Sequence, residues 1–272
     1  MPYYTDGFMF NVMGIEELPD CLFHYTSLET LACILKYKTL RFTRLDKVND
    51  KNEAMSKDLE HANTLVFVSC WMGNDNESIP MWNMYTSGMT GVRIKAPTNL
   101  FLGQKKPVVL ERGGSRLSFN GDPFFIPRVE PALGLTGRGI VGPNKVHYSN
   151  DPKYLNVSCK TNYQDRVVLD FSDLGMFKDL SWSYEEEWRY RILGMLDADF
   201  PNDKFFNEVT LDLSRYPVIP EHIDIKLDEN IFNELEITTG PKMTDSQIIL
   251  LEALIEKHAP NTVINKSNIN IR

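Results

Sequence analysis

Apolar residues recur along the chain in two patterns, one typical of an amphipathic helix and one typical of β-strands. Near the beginning, Leu31 and Leu35 lie on one helical face and predict a helix that ends near Tyr37. Thr26, followed three residues later by Glu29, is typical of a capping box at the start of that helix. The first well-defined element of the chain is therefore predicted to be a short capped helix.

Most of the other elements are predicted to be strands, of which the apolar run 64–71 is the clearest. Short alternating or apolar runs predict further strands at 21–25, 40–45, 91–95, 187–193, 205–213, 223–227 and 235–240. Pro80 is expected to open a short helix, a helix is expected within 151–180, and Thr244 or Asp245 is expected to cap a last helix. Strands and helices mixed in this way favour an α+β fold.

Glycine and proline interrupt every long pattern between residues 103 and 147. We predict a single domain over residues 1–272, in which this stretch is a loop-rich insertion and partly a β-hairpin. Residues 1–20 are expected to be a loosely ordered lead-in. Loops on a fixed scaffold commonly select the substrate, so the insertion is a natural candidate for that role.

Composition narrows the class of protein. The net charge of −8, from 29 basic and 37 acidic residues, disfavours a protein coated with nucleic acid or docked on anionic lipid. The four cysteines form no C-x-x-C pair, so we expect reduced thiols in the core and no metal site. No apolar run reaches the roughly 18 residues that span a bilayer, and a secretion signal is lacking. These features predict a cytoplasmic protein without a membrane partner.

His24, Tyr25 and Thr26 form the first candidate for chemistry, at the predicted junction of strand and helix. A histidine here can hold a ligand hydroxyl, while Thr26 and nearby backbone N–H groups point outward. The alternative is a core histidine beside a structural helix cap. The residues alone favour that alternative.

A run of acidic residues before a strand is the second candidate. If this segment is a strand, Glu185, Glu187 and Arg189 share one face and Trp188 takes the other. A carboxylate near a ribose can stabilise an oxocarbenium-like centre and polarise a hydroxyl. Acidic runs are usually solvated surface, so both interpretations stay open.

Two weaker candidates concern aromatic stacking and phosphate binding. Trp82 and Tyr85 lie one helical turn apart and can stack on a heterocycle, although core packing is the simpler explanation. Arg41 and Thr43 share a strand face and Arg44 takes the other; guanidinium groups suit phosphate, but a solvated strand edge explains them equally well. The motifs of a phosphate loop and of a nucleophile elbow are missing.

Several segments together resemble a family of uncharacterised bacterial domains. The resemblance lies in residues 24–31, 41–50, 67–70, 81–85, 91–94, 187–189, 240–242 and 264–267. The order of these segments is similar to that of ADP-ribosyltransferases of the histidine–tyrosine–glutamate class. This resemblance implies split, mainly antiparallel β-sheets around a cleft, with flanking helices. It also implies that NAD is the cofactor, from which nicotinamide leaves and ADP-ribose passes to an acceptor.

The resemblance assigns roles to individual residues. It implies that Glu187 is the catalytic glutamate, that Glu185 resembles the paired glutamates of other transferases, and that His24 assists them. The residues implied to bind NAD are His24, Tyr25, Thr26, Arg41, Arg44, Trp82 and Tyr85. Tyr25 departs from the family pattern, because it replaces the glycine of a His-Gly-Ser or His-Gly-Thr triplet.

Relatives with this architecture include bacterial toxins and anti-phage defence effectors, and toxins of the CmdT type modify messenger RNA. The resemblance therefore implies RNA or protein as the acceptor, and an antitoxin or chaperone as a partner. Two alternatives remain from the residues themselves. One is an NAD glycohydrolase that transfers ADP-ribose to water, and the other is a non-catalytic module that binds a nucleotide or a peptide.

Overall fold

The computed structural model of the chain describes residues 18–101, 108–112, 115–119, 135–162, 167–169, 171–196 and 220–271. The predicted strand at 205–213 and nearly all of the predicted lead-in at 1–20 lie outside these ranges. Within them the chain is a mixture of helix and strand with one large mixed sheet and few helices. The predicted α+β class is confirmed at this level.

The described elements are four α-helices, seventeen strands and several 3₁₀ turns. The helices are α1 Leu28–Tyr37, α2 Ile79–Tyr85, α3 Pro152–Leu155 and α4 Asp245–His258. The first strands are β1 Cys21–Thr26, β2 Thr39–Arg44, β3 Met55–Ser56, β4 Val66–Met72, β5 Val92–Pro97, β6 Val108–Arg112, β7 Ser115–Phe119, β8 Leu135–Lys145 and β9 His147–Ser149. The later strands are β10 Asn156–Val157, β11 Lys160–Asn162, β12 Val167–Leu169, β13 Phe177–Asp179, β14 Glu187–Leu196, β15 His222–Lys226, β16 Glu236–Thr239 and β17 Val263–Lys266.

The large sheet follows the order β15-β2-β4-β1-β5-β16-β17, and β14 pairs with β4 and β8 in addition. Its neighbouring strands are antiparallel, with the exception of the parallel pair β16 and β17. The predicted strands at 21–25, 40–45, 64–71, 91–95, 187–193, 223–227 and 235–240 all belong to this sheet. Their short alternating patterns fit a sheet whose two faces lie in different surroundings.

The sheet opens at β4. Strand β14 pairs with every residue of β4, from Met72 to Val66, so β14 occupies one edge of β4. Strands β1 and β2 must therefore share the other edge, where β1 pairs at Met72 and β2 pairs at Phe67 and Val68. Among the described strands, residues 69–71 have partners in β14 but none on this second edge. The two strands thus diverge from β4 and leave a gap between them.

The helix caps follow from local hydrogen bonding, with one correction to the prediction. Ser27, and not Thr26, caps α1 by accepting a hydrogen bond from the N–H of Thr30. Thr26 still belongs to β1, where it is paired with β5, so the next residue is the first that is free to cap the helix. At α4 the prediction is confirmed, because Thr244 caps the helix in a complete capping box.

The core lies between the sheet and the two longer helices. Helices α1 and α4 contact each other. Their buried residues Leu31, Leu35, Leu251 and Ile255 belong to one apolar cluster that also contains Phe67 of β4. Burial of this apolar surface is the main stabilising term for the fold. It also holds β4, the strand at which the sheet opens, against the helices.

Two stretches, one predicted as a loop-rich insertion with a hairpin and one predicted to contain a helix, hold more strand than expected. In residues 103–147, β6 and β7 form a hairpin, and β8 pairs with β14 as part of the large sheet. In residues 151–180 the predicted helix is a single turn, α3, and the other elements described there are short strands.

The four cysteines are free, but Cys33 is exposed and only Cys159 is fully buried, so the prediction of core thiols holds in part. No helix in the described ranges is long and apolar enough to cross a membrane.

Replacement of Gly91 by alanine is expected to weaken the fold beside the gap. A Cβ atom at Gly91 would lie 2.2 Å from the backbone oxygen of Thr26 and 2.9 Å from Cβ of Thr86. We expect Gly91→Ala to lower the free energy of unfolding by about 2 kcal/mol, measured by urea denaturation. Gly88→Asn is the control, because nothing lies within 4 Å of that position and asparagine tolerates its positive φ. Equal stability of the two variants would contradict the prediction.

Candidate functional site

A cleft of about 270 Å³ lies where β1 and β2 diverge from β4. Its walls come from β1, β2, the unpaired stretch of β4, the loop after β2, helix α2, and strands β13 and β14. The predicted site residues that line it are His24, Tyr25, Arg41, Tyr85, Glu185 and Glu187. Residues from distant parts of the chain therefore meet in one cleft, because the sheet does not close there.

His24 is held by the unpaired edge of β4. Its Nδ1 lies 2.9 Å from the backbone oxygen of Cys70, and its ring is tilted against Trp71 with 5.0 Å between centroids. Burial lowers the pKa of His24, so the ring is neutral at physiological pH. A neutral ring that donates to a carbonyl through Nδ1 carries no proton on Nε2. His24 can therefore offer the cleft a hydrogen-bond acceptor, but not a positive charge.

Glu185 and Glu187 do not share a strand, which corrects the predicted geometry. Glu185 ends a 3₁₀ turn, Leu180–Glu185, and Glu186 then adopts a left-handed conformation with φ 42° before β14 begins at Glu187. The backbone N–H of Glu187 donates to the hydroxyl of Tyr148 at 2.9 Å. The two carboxylates reach the same cleft from a turn and from a strand, and Glu187 alone shares its strand face with Arg189.

A buried cluster of charged side chains forms the base of the cleft. Arg189 binds Glu187 through two nitrogens: Nη2 lies 2.8 Å from Oε2, and Nε is in close contact with Oε1. The third nitrogen, Nη1, contacts Glu53. Lys178 Nζ lies 2.5 Å from Glu185 Oε2, 3.4 Å from Glu187 Oε2 and 3.7 Å from Glu53 Oε2. None of these five side chains is more than 4% exposed. We call this group the charge cluster.

The charge cluster gives its two cleft-facing carboxyl groups different pKa values. Burial alone would raise the pKa of Glu187, but Arg189 and Lys178 beside it lower the value to about 2. Burial and the neighbouring charge of Glu187 raise the pKa of Glu185, although Lys178 acts against this rise. Two carboxyl groups whose pKa values are pushed apart suit one fixed negative charge and one group that exchanges a proton.

Tyr85 connects the charge cluster to the opposite wall of the cleft. Its hydroxyl donates to Glu185 Oε1 and accepts a hydrogen bond of 2.5 Å from Nδ2 of Asn49. Burial and the negative charge of Glu185 raise the pKa of Tyr85, so it remains protonated. Burial and Glu187 likewise raise the pKa of the Cys70 thiol, which argues against a cysteine nucleophile in this cleft.

The remaining predicted residues divide between cleft and core. Arg41 lines the cleft and forms an exposed ion pair with Asp224 at 2.9 Å. Arg44 points to the other side of β2, where Asp46 holds it with two hydrogen bonds, so its guanidinium lies away from the cleft.

The three predicted aromatic residues of the site, Tyr25, Trp82 and Tyr85, have different surroundings. Trp82 is fully buried behind Tyr25, with which it makes an edge contact, and it does not reach the cleft. Thr26 is buried at the end of β1 and does not line the cleft either. Core packing therefore explains Trp82, whereas Tyr25 and Tyr85 belong to the cleft.

Sequence reasoning missed Glu53, Lys178, Asn49 and Tyr148, all of which contact the predicted residues. Glu53 and Asn49 lie in a charged stretch that resembles solvated loop, and nothing local distinguishes them. Lys178 follows the apolar pair Met176 and Phe177 directly, and a lone lysine in such a run is a weak signal for a buried charge. In the part of the chain that the structure describes, no cluster of histidine, cysteine and acidic residues could hold a metal ion.

Comparison with known proteins adds one match. The model of a family described as "Protein of unknown function (DUF2971)" matches residues 81–190, about two fifths of the 272 residues. No curated protein and no solved structure matches the chain. The matched segment includes Tyr85, Lys178, Glu185, Glu187 and Arg189, but not β1 with His24. It agrees with the expected similarity to uncharacterised domains, and its description names no activity.

Removal of the Arg189 guanidinium is expected to be far more damaging than removal of an exposed one. Arg189→Met leaves Glu187 and Glu53 buried without their partner, so we expect a loss of about 3–5 kcal/mol in the free energy of unfolding. Arg41→Met is the matched control and should cost less than about 1 kcal/mol, because its pair with Asp224 is exposed to solvent. Urea denaturation measures both variants. Similar losses would show that the charge cluster does not stabilise the fold.

Proposed function

We propose that this protein is an ADP-ribosyltransferase that uses NAD. The observation that carries the proposal is the cleft at the opening of the sheet, where His24 from β1, Tyr85 from α2 and Glu185 and Glu187 beside β14 meet. The resemblance described for the sequence implies such an arrangement, with split antiparallel sheets on either side of the NAD site. A cleft with a neutral histidine, a tyrosine and two unlike carboxyl groups suits the opening of a glycosidic bond.

In this proposal the two carboxyl groups have separate roles. Arg189 holds Glu187 ionised and immobile, so Glu187 supplies a fixed negative charge beside the developing oxocarbenium ion. Glu185 has the raised pKa and contacts Tyr85, so it exchanges the proton of the ribose 2′-hydroxyl or of the acceptor. His24 accepts a hydrogen bond from a ribose hydroxyl through Nε2. The ring of Tyr85 packs against nicotinamide.

The size of the cleft indicates how the dinucleotide would lie. A volume of about 270 Å³ is slightly below the roughly 300–1,000 Å³ of typical small-molecule sites. The nicotinamide riboside half of NAD would therefore fill the cleft, with the diphosphate at its mouth. Arg41 faces that mouth, and its exposed pair with Asp224 is weak enough to be exchanged for a phosphate. Arg44 is excluded from this role because Asp46 already neutralises it.

The biological setting belongs to the same proposal. The toxins and anti-phage effectors that the sequence resembles act in the cytoplasm on RNA or protein and are restrained by an antitoxin or chaperone. The net charge of −8 gives no general attraction for RNA. An RNA acceptor would therefore have to be recognised by contacts near the mouth of the cleft.

Glu185→Gln is expected to lower the release of nicotinamide from NAD by the purified protein at least 100-fold, because it removes the proton-exchanging group. Glu186→Gln is the matched control. The carboxylate of Glu186 is next to Glu185 along the chain, but it is exposed and contacts Asn74 outside the cleft, so activity should be unchanged. Release of nicotinamide is measured by chromatography. Equal activity of the two variants would exclude Glu185 from the reaction.

The acceptor is identified with NAD labelled on its adenosine half. Added to a cell lysate with the protein, the label is expected to appear in macromolecules and to be removed by ribonuclease if RNA is the acceptor, or by protease if protein is. Nicotinamide release at full rate without transfer would instead identify an NAD glycohydrolase. If neither transfer nor release occurs with wild-type protein, the cleft is a non-catalytic binding site and the proposal is wrong.

A further inference from the structure

The charge cluster contains one more negative group than positive groups. Its carboxylates are Glu53, Glu185 and Glu187, and its cations are Lys178 and Arg189. Arg189 and Glu187 form a two-fold hydrogen-bonded pair, and Lys178 lies closest to Glu185, so these four side chains already compensate one another. Glu53 is the third carboxylate, and charge balance does not require it.

Glu53 is also placed at a structural cost. Its Oε2 has no hydrogen-bond partner, and its closest cation is Lys178 at 3.7 Å. The next residue, Ala54, is buried and has φ 54°, a left-handed conformation that residues other than glycine rarely adopt. A buried carboxylate without full compensation is unfavourable, and such a site usually takes up a proton. Burial of Glu53 therefore favours the uptake of a proton by the charge cluster.

Among the three carboxylates, Glu185 is the one that can take the proton most easily. Arg189 binds Glu187 with two nitrogens and Glu53 with a third. Glu185 is not bound by Arg189 in this way; its contacts are Lys178 on Oε2 and the neutral hydroxyl of Tyr85 on Oε1. A proton on Oε1 reverses the hydrogen bond to Tyr85, and because Asn49 already donates to the Tyr85 oxygen, the Tyr85 O–H must then donate into the cleft that it lines.

We propose that Glu53 is a positioning residue whose surplus negative charge keeps one proton on the Glu185–Tyr85 pair at neutral pH. Glu185 can then act as a base in this cleft only at pH values at which it has released this proton to solvent. The role as a base rests on the proposed transferase function. The presence of the proton does not, because it follows from the composition and burial of the charge cluster.

The groups around Glu185 leave the charge count unchanged. The charged side chains that face it are those already named, Lys178 on β13, Glu187 and Arg189 on β14, and Glu53 on the loop before β3. The other titratable groups that interact with it are Tyr85, Tyr148 and Tyr184. Burial raises the pKa of all three, so each stays neutral. Arg41 and Lys47 also line the cleft, but each is paired with an acidic residue outside the cluster, Asp224 and Glu221.

The pH dependence of the free energy of unfolding tests the proposal without any ligand. A carboxyl group whose pKa is raised by folding binds more protons in the folded state, so its contribution to stability is lost as pH rises through the raised value. For the wild type we expect Glu185 to contribute a fall in stability with rising pH above the ordinary pKa of about 4.5, superimposed on the rise that His24 contributes up to about its ordinary pKa of 6.5, because folding lowers the pKa of His24. Glu185→Gln should abolish this fall, and Glu53→Gln should move it to lower pH by about one unit.

The control is Glu60→Gln, which removes one negative charge from a side chain that is 89% exposed and should leave the fall unchanged. Infrared spectroscopy of the folded proteins adds a direct measurement. The carbonyl band of a protonated carboxyl group should be present at neutral pH in the wild type and absent in Glu185→Gln, and in Glu53→Gln it should disappear at a pH about one unit lower than in the wild type. A wild type without this band, or a Glu53→Gln variant that loses it at the same pH as the wild type, overturns the proposal.

These measurements separate the further inference from the proposed function. If the protein does not act on NAD but the band and the pH dependence behave as expected, the proton is established and only the transferase function fails. If the protein does act on NAD, the acid limb of its activity profile should move down by about one pH unit in Glu53→Gln. An unchanged limb would mean that Glu53 has no influence on the reacting group.

Discussion

The buried contact of Arg189 with Glu187 and Glu53 connects the segments that form the cleft. Glu187 and Arg189 lie on one face of β14, whereas Glu53 comes from the loop before β3. The same guanidinium donates to the backbone oxygen of Gly175 at 2.9 Å, just before β13 with its Lys178. A buried charge that loses its partner is expensive, so each segment is stable only where its charge is compensated. Strand β14, the loop before β3 and strand β13 are thus fixed in position relative to one another.

The opening of the sheet at β4 is the second condition for the site. Backbone groups on an unpaired strand edge inside a protein need other partners. Here the ring of His24 takes the place of a neighbouring strand by contacting the backbone oxygen of Cys70. The carbonyl of Cys70 is satisfied in this way, and the ring is left neutral with a second nitrogen that can accept a hydrogen bond. The contact between His24 and Cys70 therefore contributes to the fold and also positions His24, which binds ribose in the proposed reaction.

Much of the fold could be predicted from the sequence because strand pairing and helix capping leave short-range patterns. The apolar run 64–71 became β4, and Thr244, one of the two residues expected to cap the last helix, does cap it. Errors arose where neighbouring elements altered a local preference. Thr26 resembles a helix cap, but pairing with β5 includes it in β1 and moves the cap to Ser27. The segment before Glu187 resembles a strand, but it forms a 3₁₀ turn with a left-handed residue after it.

For the candidate site, the sequence by itself singled out residue types with a chemical use, including His24, Tyr85, Glu185 and Glu187. It determined their neighbours along the chain, and so the strand ends and turns on which they lie. Only the tertiary structure decided that these residues share a cleft and that Arg44 and Trp82 do not. It also decided the unequal pKa values of the two glutamates, because burial and the distance to a compensating charge depend on groups far apart in the sequence.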